Sequence, residues 1–584
     1  MGAKPAPSTA SASDDGKISA AGDQTDLEIG SANPIDETAQ RNETEKVESL
    51  ARHATATSQH GQDVERVQTR EDGAAYPTGV NLALIVMALC LSVFVMALDN
   101  SIIATAIPKI TDQFHSLPDV GWYGSAYMLT TAALQLLFGR FYTFFSIKWV
   151  FLVAILIFEV GSLICAVAQN SVTLIVGRAV AGVGAAGIFS GALTILAYSV
   201  PLSKRPIYTG AIGSMYGLAS ISGPLMGGAF TDHVTWRWCF YINLPVGGAT
   251  MAAIAVFFPD PRRPTRNDDT FRQRLMRFDP LGTAVFMPAI ICLLLALQWG
   301  GTVHAWGSWR VVVLFVLFAV LIAVFVFVQY RQQDLATVPP RILLQRSVWS
   351  SGLYIMAIGG AFLGAVYYLP LWFQAVKGAS AMRSGIMNLP MLVAVVLFSV
   401  AAGAAVTVWG YYAPFMVVSS VLAAVGFGLF VTFRPDTGSA AWIGYQVLVG
   451  AGLGLGFQQP LMAVQTVLPI EDVPTGTSLV IFLQTLGGAL FIAAAQNVFT
   501  NRLLHYVAAY APSIGDPAQV LAVGATSVHD AFQPDVLPAI TLAFNDALVQ
   551  TFVIFAALAA LSILGALAVE WRSVKGKPME MHGV

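Results

Sequence analysis

The chain is poor in charge. Only 11% of its 584 residues are Asp, Glu, Lys or Arg, against 56% hydrophobic. A soluble globular chain carries about 25% charged residues. So few charges cannot coat a water-soluble particle of this length, and lipid must cover much of the surface. Net charge is −2, and no basic face suited to nucleic acid stands out. Cysteine is scarce. Cys90, Cys165, Cys239 and Cys292 lie in or beside apolar segments, with no metal-ligand spacing and no disulfide framework, and read as small core residues. No Gly-x4-Gly-Lys-Ser/Thr loop occurs, which argues against an ATP-powered pump. Nothing suggests a catalytic triad, a metal site or another cofactor, so an enzyme is not expected. No cleavable leader is read at the start. The first apolar run begins near residue 80 and is expected to serve as signal anchor and first span.

What is present falls into two regimes. Residues 1–78 are rich in Ala, Ser, Thr, Asp, Glu and Gln and lack large aliphatic clusters. Such a segment cannot bury enough apolar surface to offset its ordering entropy, so a disordered cytosolic tail is expected. Its glycosylation triplet, Asn42-Glu43-Thr44, reads as a chance match. Beyond it, long apolar runs dominate. A helical span needs about 20 apolar residues. Candidate spans are 80–104, 121–141, 149–169, 172–193, 208–229, 240–258, 281–299, 311–329, 350–371, 385–408, 413–433, 441–462, 476–499 and 547–570. The fold class is therefore an all-α integral membrane protein of about fourteen transmembrane helices.

Lys and Arg in short loops set the orientation. One set of alternate loops carries Arg140 and Lys148, Lys204 and Arg205, then Arg262, Arg263, Arg266, Arg272, Arg274 and Arg277. Arg331, Arg341, Arg346, Arg572, Lys575 and Lys577 continue it. The opposite loops hold fewer, such as Lys109, Arg310 and Arg434. Both termini are thus expected in the cytosol, which requires an even number of spans. The parse is a tail (1–78), a six-helix bundle (79–258), and a basic loop with two linker helices (259–346). A second six-helix bundle (347–570) with an outside loop at about 500–546 follows, and then a cytosolic tail (571–584).

Three charged residues interrupt apolar runs. Asp99 and Arg178 each lie roughly 8–9 Å below the outer end of a candidate span, and Glu159 roughly 16 Å below. Charges at such depth are costly and face a cavity or each other. Burial raises a carboxyl pKa and a nearby Arg lowers it. A carboxyl whose distance from Arg changes with conformation would load and release a proton, whereas a static pair would only fix packing. For Glu159, a titrating group and a neutral hydrogen-bonded carboxyl are both open.

The other intramembrane polar groups are amides and phenols. Gln135 and Tyr123 with Tyr127 in the first half, and Tyr368, Gln374, Gln446 and Gln458 in the second, are candidate substrate contacts. A cavity with few charges and many aromatic or amide groups suits uncharged, fairly apolar ligands. Interhelical hydrogen bonding is the alternative for each. Gly223-Pro224 with Gly227-Gly228 in the fifth span combines small residues, which let helices approach closely, with a missing backbone donor, which bends the helix.

These residues together resemble the major facilitator superfamily, in its fourteen-span drug:proton antiporter branch, and look most like fungal efflux pumps for toxins and secondary metabolites. Leu98-Asp99 through Ala106-Ile107-Pro108 resembles the first-span motif, and Trp122-Tyr123 with Ala126-Tyr127 the opening of the second. Arg178, Gly182 and Gly184 resemble the fourth-span motif tied to proton transfer, and Gly223-Pro224 with Gly227-Gly228 the fifth-span antiporter motif. Trp236 to Pro245 is similar to the segment entering the sixth span. Tyr368-Leu369-Pro370, Phe373 to Gly378 and Ser384-Gly385 look like the ninth-to-tenth span signature. Two positions depart from the pattern. In the loop Gly139-Arg140 to Lys148, Thr143 stands where an acid is usual, and Ala181 replaces a commonly polar residue.

The resemblance implies a major facilitator fold of two six-helix bundles plus two extra helices. It implies a monomeric multi-pass transporter in the plasma membrane, or else the vacuolar membrane, whose partners are lipid, protons and a small-molecule substrate. The implied activity is proton-driven export by alternating access, with Asp99, Arg178 and Glu159 coupling protons. A siderophore or vacuolar amino-acid transporter of the same fold, or a non-transporting sensor, are the alternatives.

Overall fold

The computed structural model describes residues 76–115, 119–261, 278–301, 303–523 and 528–575. The expected tail up to residue 75, with Asn42, lies outside the described residues. So do Arg262, Arg263, Arg266, Arg272, Arg274 and Arg277 of the basic loop, and Lys577. Long helices follow one another along the described chain. They are α1 (Gly79–Phe114), α2 (Val120–Phe144), α3 (Ile147–Val167), α4 (Ser171–Ser199) and α5 (Arg205–His233). Next come α6 (Asn243–Phe257), α7 (Pro280–Trp299), α8 (Trp309–Gln332), α9 (Arg346–Ala375), α10 (Leu389–Trp409) and α11 (Ala413–Phe430). The last are α12 (Ser439–Gly456, carried on by Gln459–Val467), α13 (Val473–Tyr510) and α14 (Leu537–Ala568).

Among the described residues, 12 helical stretches are long and apolar enough to cross a membrane. The expected count of fourteen included 121–141 and 208–229. Both places are helical, as α2 and α5, but neither reaches that apolarity. The packing gives the physical reason. α2 lies along α13 and α5 along α10, in the seam between the two halves. A helix that faces other helices needs no apolar coat, so Gly, Ser, Thr and Tyr dilute its hydropathy. At the other extreme, α8 has mean hydropathy 3.6 and only 17% of its apolar window buried, while α4 is 83% buried. α8 is therefore bathed by lipid and α4 is enclosed by protein.

Packing repeats between the halves. In the first, α1 lies on α5 and α6, and α4 on α2 and α3. In the second, α9 lies on α13 and α14, and α12 on α10 and α11. The linker helices α7 and α8 pack on each other, and α7 on α2. Two similar bundles facing one another is a transporter plan.

Helix ends differ from the sequence expectation in two places. α1 continues to Phe114, ten residues past 104. The connection expected at 500–546 shrinks to 511–536, because α13 runs to Tyr510 and α14 starts at Leu537. A helix satisfies its own backbone groups, so it can leave the hydrocarbon without ending. Hydropathy registers only the part inside.

Because successive helices reverse direction, connections gather at two ends. One end holds Arg140, Lys148, Lys204, Arg205, Arg341, Arg346 and Arg572, and is called the basic end below. Hydrogen bonds join the two bundles there: Thr143 Oγ1 lies 3.1 Å from Thr475 Oγ1, and the Tyr198 hydroxyl donates to the Ile470 carbonyl at 3.5 Å.

Candidate functional site

Five helices of the first bundle bring together a buried polar cluster. α1 supplies Asp99 and α4 supplies Arg178, and both side chains are wholly buried. α4 is fixed locally by Asn170, whose side chain accepts from Thr173 N at 2.8 Å and starts the helix two turns before the arginine. Arg178 Nη1 donates to Asp99 Oδ2, so the pair expected from sequence forms directly. Arg178 Nε donates to the Tyr123 carbonyl at 2.8 Å. The guanidinium lies over the Tyr127 ring, 4.4 Å from its centroid, and 6.0 Å from that of Phe240. One face of the cation is thus covered by π-electrons and its edge is held by oxygens, which compensates part of the desolvation of a buried charge.

The other carboxylate oxygen of Asp99 has a partner that sequence reasoning did not single out. Asn243, the first residue of α6, donates from Nδ2 to Asp99 Oδ1 at 2.9 Å and approaches Ser162 Oγ of α3 at 3.0 Å. The signal was a lone Asn inside Phe240-Tyr241-Ile242-Asn243-Leu244, since a buried amide in an apolar run must find partners. Glu159, one turn before Ser162 on α3, is also buried, and neither carboxyl oxygen has a hydrogen-bond partner. Its Oε1 sits where a side chain would begin on Gly247: a Cβ there would lie 1.7 Å away.

The candidate substrate residues do not form one group. Tyr123 is fully buried, and its hydroxyl donates to Ser171 Oγ at 2.9 Å. The Tyr127 hydroxyl reaches the Met96 carbonyl at 3.2 Å. Both tyrosines therefore belong with the Asp99–Arg178 cluster. In the second bundle, Tyr368 donates to Gln496 Oε1 at 3.1 Å, Gln374 Nε2 to Ser384 Oγ at 2.9 Å, and Gln446 Nε2 to the Met387 carbonyl at 3.0 Å. Gln446 Oε1, Gln458 Oε1 and Gln135 Nε2 are buried without a partner. Gln458 also reaches across the seam, its Nε2 lying 1.8 Å from where a Cβ on Gly213 would stand.

The motif glycines divide by what surrounds them. A Cβ on Gly182 would lie 2.4 Å from the Tyr127 carbonyl oxygen, and one on Gly227 2.7 Å from that of Ile102. On Gly223 it would meet Ser101 Oγ at 2.2 Å, and on Gly139 it would meet Ser478 Cβ at 2.8 Å. Around Gly228 nothing lies within 4 Å. Pro224 sits inside α5. Ala181, where a polar residue is common, has its backbone N 2.2 Å from a would-be Cβ on Gly161, so α3 and α4 are in backbone contact there.

The basic end is closed by a second polar cluster. Asp279 caps α7 and is fully buried. It accepts from Gly282 N and Gln329 Nε2, each at 2.6 Å, and from Thr337 N and Oγ1, each at 2.9 Å. This ties α7, α8 and the segment after α8 together. That segment in turn reaches both bundles. Arg140 Nη2 of α2 donates to the Leu335 carbonyl at 3.1 Å, and Arg341 pairs with Asp472 at the start of α13. The acid missing at Thr143 is thus offset by an ion pair from the linker.

With this geometry in hand, comparison with known proteins identifies the family. The family model described as Major Facilitator Superfamily matches residues 89–303 and 294–492. The chain belongs to that superfamily; it is a membrane transporter and not an enzyme. It is 59% identical over 503 residues to the "MFS-type efflux pump MFS1" of Trichophyton rubrum, covering 86% of this chain and 94% of that one. It is 54% identical over 489 residues to "Efflux pump roqT" of Penicillium rubens, covering 84% and 90%. It is 48% identical over 558 residues to the "Aspyridones efflux protein" of Neocamarosporium betae, covering 95% and 98%. Among solved structures, the proton:xylose symporter XylE matches with TM-score 0.52 and 14% identity, over 83% of this chain and 94% of that one, a likeness of fold alone.

Proposed function

We propose that this chain exports small, mostly apolar organic molecules of the toxin or secondary-metabolite kind, in exchange for protons. The observation that carries the reading is the Asp99–Arg178 pair, buried in the first bundle with Glu159 nearby. An ionised pair in hydrocarbon is tolerated where it does work, because its desolvation cost is high. Asp99 takes a proton from outside when Arg178 withdraws, and releases it to the cytosol when the pair reforms. Glu159 is the second proton-carrying candidate. Relatives named as efflux pumps support the direction of transport. The amides Gln135, Gln446 and Gln458, each with an unpartnered atom, support a neutral cargo that both donates and accepts hydrogen bonds.

In this reading α2 and α5 also cross the bilayer, giving fourteen spans, the basic end faces the cytosol, and a monomer resides in the plasma membrane. The driving force suffices. One pH unit is worth about 1.4 kcal/mol, and roughly 100 mV adds about 2.3 kcal/mol per charge. One proton per neutral molecule sustains a gradient on the order of 500-fold. The test is Asp99→Asn in inside-out vesicles, with Nile red as a neutral apolar probe. Loss of pH-driven uptake is expected, and undiminished uptake would remove Asp99 from the mechanism.

A further inference from the structure

Asp99 is held on both sides, and only one of its holders is charged. Arg178 grips Oδ2 and Asn243 grips Oδ1. A guanidinium can only donate, so it is a good partner for the carboxylate and a poor one for the neutral acid. A primary amide carries a donor and an acceptor on one planar group. Turned by half a rotation about its last bond, Asn243 presents Oδ1 where Nδ2 now sits and accepts from a protonated Asp99. That oxygen is buried and has no hydrogen-bond partner at present. The Ser162 hydroxyl, the other neighbour of Nδ2, both donates and accepts, so it follows either orientation.

We propose that Asn243 is a positioning residue of the proton site, a turnable amide that keeps Asp99 hydrogen-bonded in both its ionised and its protonated form. This deepens the coupling reading above and rests on it. Without such a partner, the neutral acid released by Arg178 would be a buried unsatisfied group, and its cost would oppose proton loading. The remaining groups around the site do not take this part. From α2 come the Tyr127 hydroxyl, bonded to Met96, and the Tyr123 carbonyl, bonded to Arg178. From α3 come Cys165, whose thiol faces the Leu174 carbonyl at 3.7 Å, and Glu159, against Gly247. Tyr216 of α5 packs edge-on against Phe189, and Cys239, just before α6, is a buried thiol. None of these combines a donor to Asp99 with an adjacent acceptor.

The test is an equilibrium proton titration of the purified full-length protein in detergent, read with the pH dye pyranine, in a Glu159→Gln background, with the curve of the same protein carrying Asp99→Asn subtracted so that the Asp99 step is read. Asn243→Leu removes donor and acceptor at similar volume. The carboxylate loses a charge-assisted bond and the neutral acid only a weaker neutral one, so the midpoint is expected to move up by about one pH unit. Asn243→Gln, which keeps the amide, returns it toward the parent value. A merely structural asparagine would leave the midpoint in place, so a superimposable titration overturns the proposal. Should the leucine variant not reach a monodisperse state, Asn243→Ala is read in the same way. Asp99→Asn separates the two levels. If it leaves the proton step intact, the coupling reading itself fails and this inference with it. If it abolishes the step while Asn243→Leu changes nothing, coupling stands and Asn243 is excluded.

Discussion

Arg341 grips both carboxylate oxygens of Asp472: Nη1 on Oδ2, and Nη2 on Oδ1 at 2.9 Å. The two residues come from the linker and from the start of α13 in the second bundle, so the contact bridges parts of the chain that must move relative to one another if the basic end opens. Hydrogen bonding from Asp472 holds the Arg341 guanidinium above its ordinary range. A raised cation contributes below its unfolded value and is lost only above its folded one. That window lies beyond any cellular pH, so Arg341 stays charged throughout. Asp472→Asn should therefore loosen the basic end to the same degree between about pH 6 and 9. Arg341 is half exposed, and such pairs are worth about 1 kcal/mol or less. Labelling of Ser478→Cys by an impermeant maleimide should rise by no more than about fivefold. Unchanged labelling would mean that the pair does not restrain opening.

Asp279 predicts a larger effect. Its four donors are buried with it, and removing the acceptor leaves them unsatisfied. Asp279→Ala should cost about 3 kcal/mol or more, seen as a fall of several degrees in the melting midpoint in detergent. Asp279→Asn should cost less, because it keeps one acceptor and tolerates the left-handed φ of 48°. Equal midpoints for the parent and Asp279→Ala would contradict this.

Gly182 and Gly228 make a matched pair. Gly182→Ala drives a methyl to 2.4 Å from the Tyr127 carbonyl oxygen, so α2 and α4 must part or the backbone must shift, costing about 1–3 kcal/mol. Gly228→Ala meets nothing and should lie within about 0.5 kcal/mol of the parent. Thermal melts of the two variants side by side decide it.

Cargo recognition and proton coupling should separate on mutation. Gln446→Leu removes the bond to the Met387 carbonyl and a buried acceptor, and lies outside the Asp99 cluster. The apparent affinity for a transported probe should change by about tenfold. The pH dependence of uptake should stay fixed. A shifted pH profile would place Gln446 in the proton path instead.

Much of this was legible before any coordinates. Apolar runs locate the helices, and Asp99 with Arg178 stood out because an ionised group inside an apolar run has so few tolerable explanations. Asn243 and Asp279 did not stand out, for a physical reason. An amide or a helix-capping acid is unremarkable in sequence, and its weight comes from partners 81 to 144 positions away for Asn243 and 50 to 58 for Asp279. Local periodicity cannot see these partners. The extra turns of α1 and α13 were missed because helix and hydrocarbon end at different residues.

The lipid-facing α8 carries a mechanical consequence. Its helical stretch of 27 residues, Trp309–Leu335, is about 40 Å long against a hydrocarbon thickness of about 30 Å, and its far end, from Gln329 to Asp334, is polar. It must lean or protrude, and its far end leads straight into the strap that Asp279 nails down and Arg341 fastens. Bilayers of different thickness therefore pull on that strap to different degrees. The same protein would carry a stiffer or looser clasp at its basic end according to the membrane in which it resides.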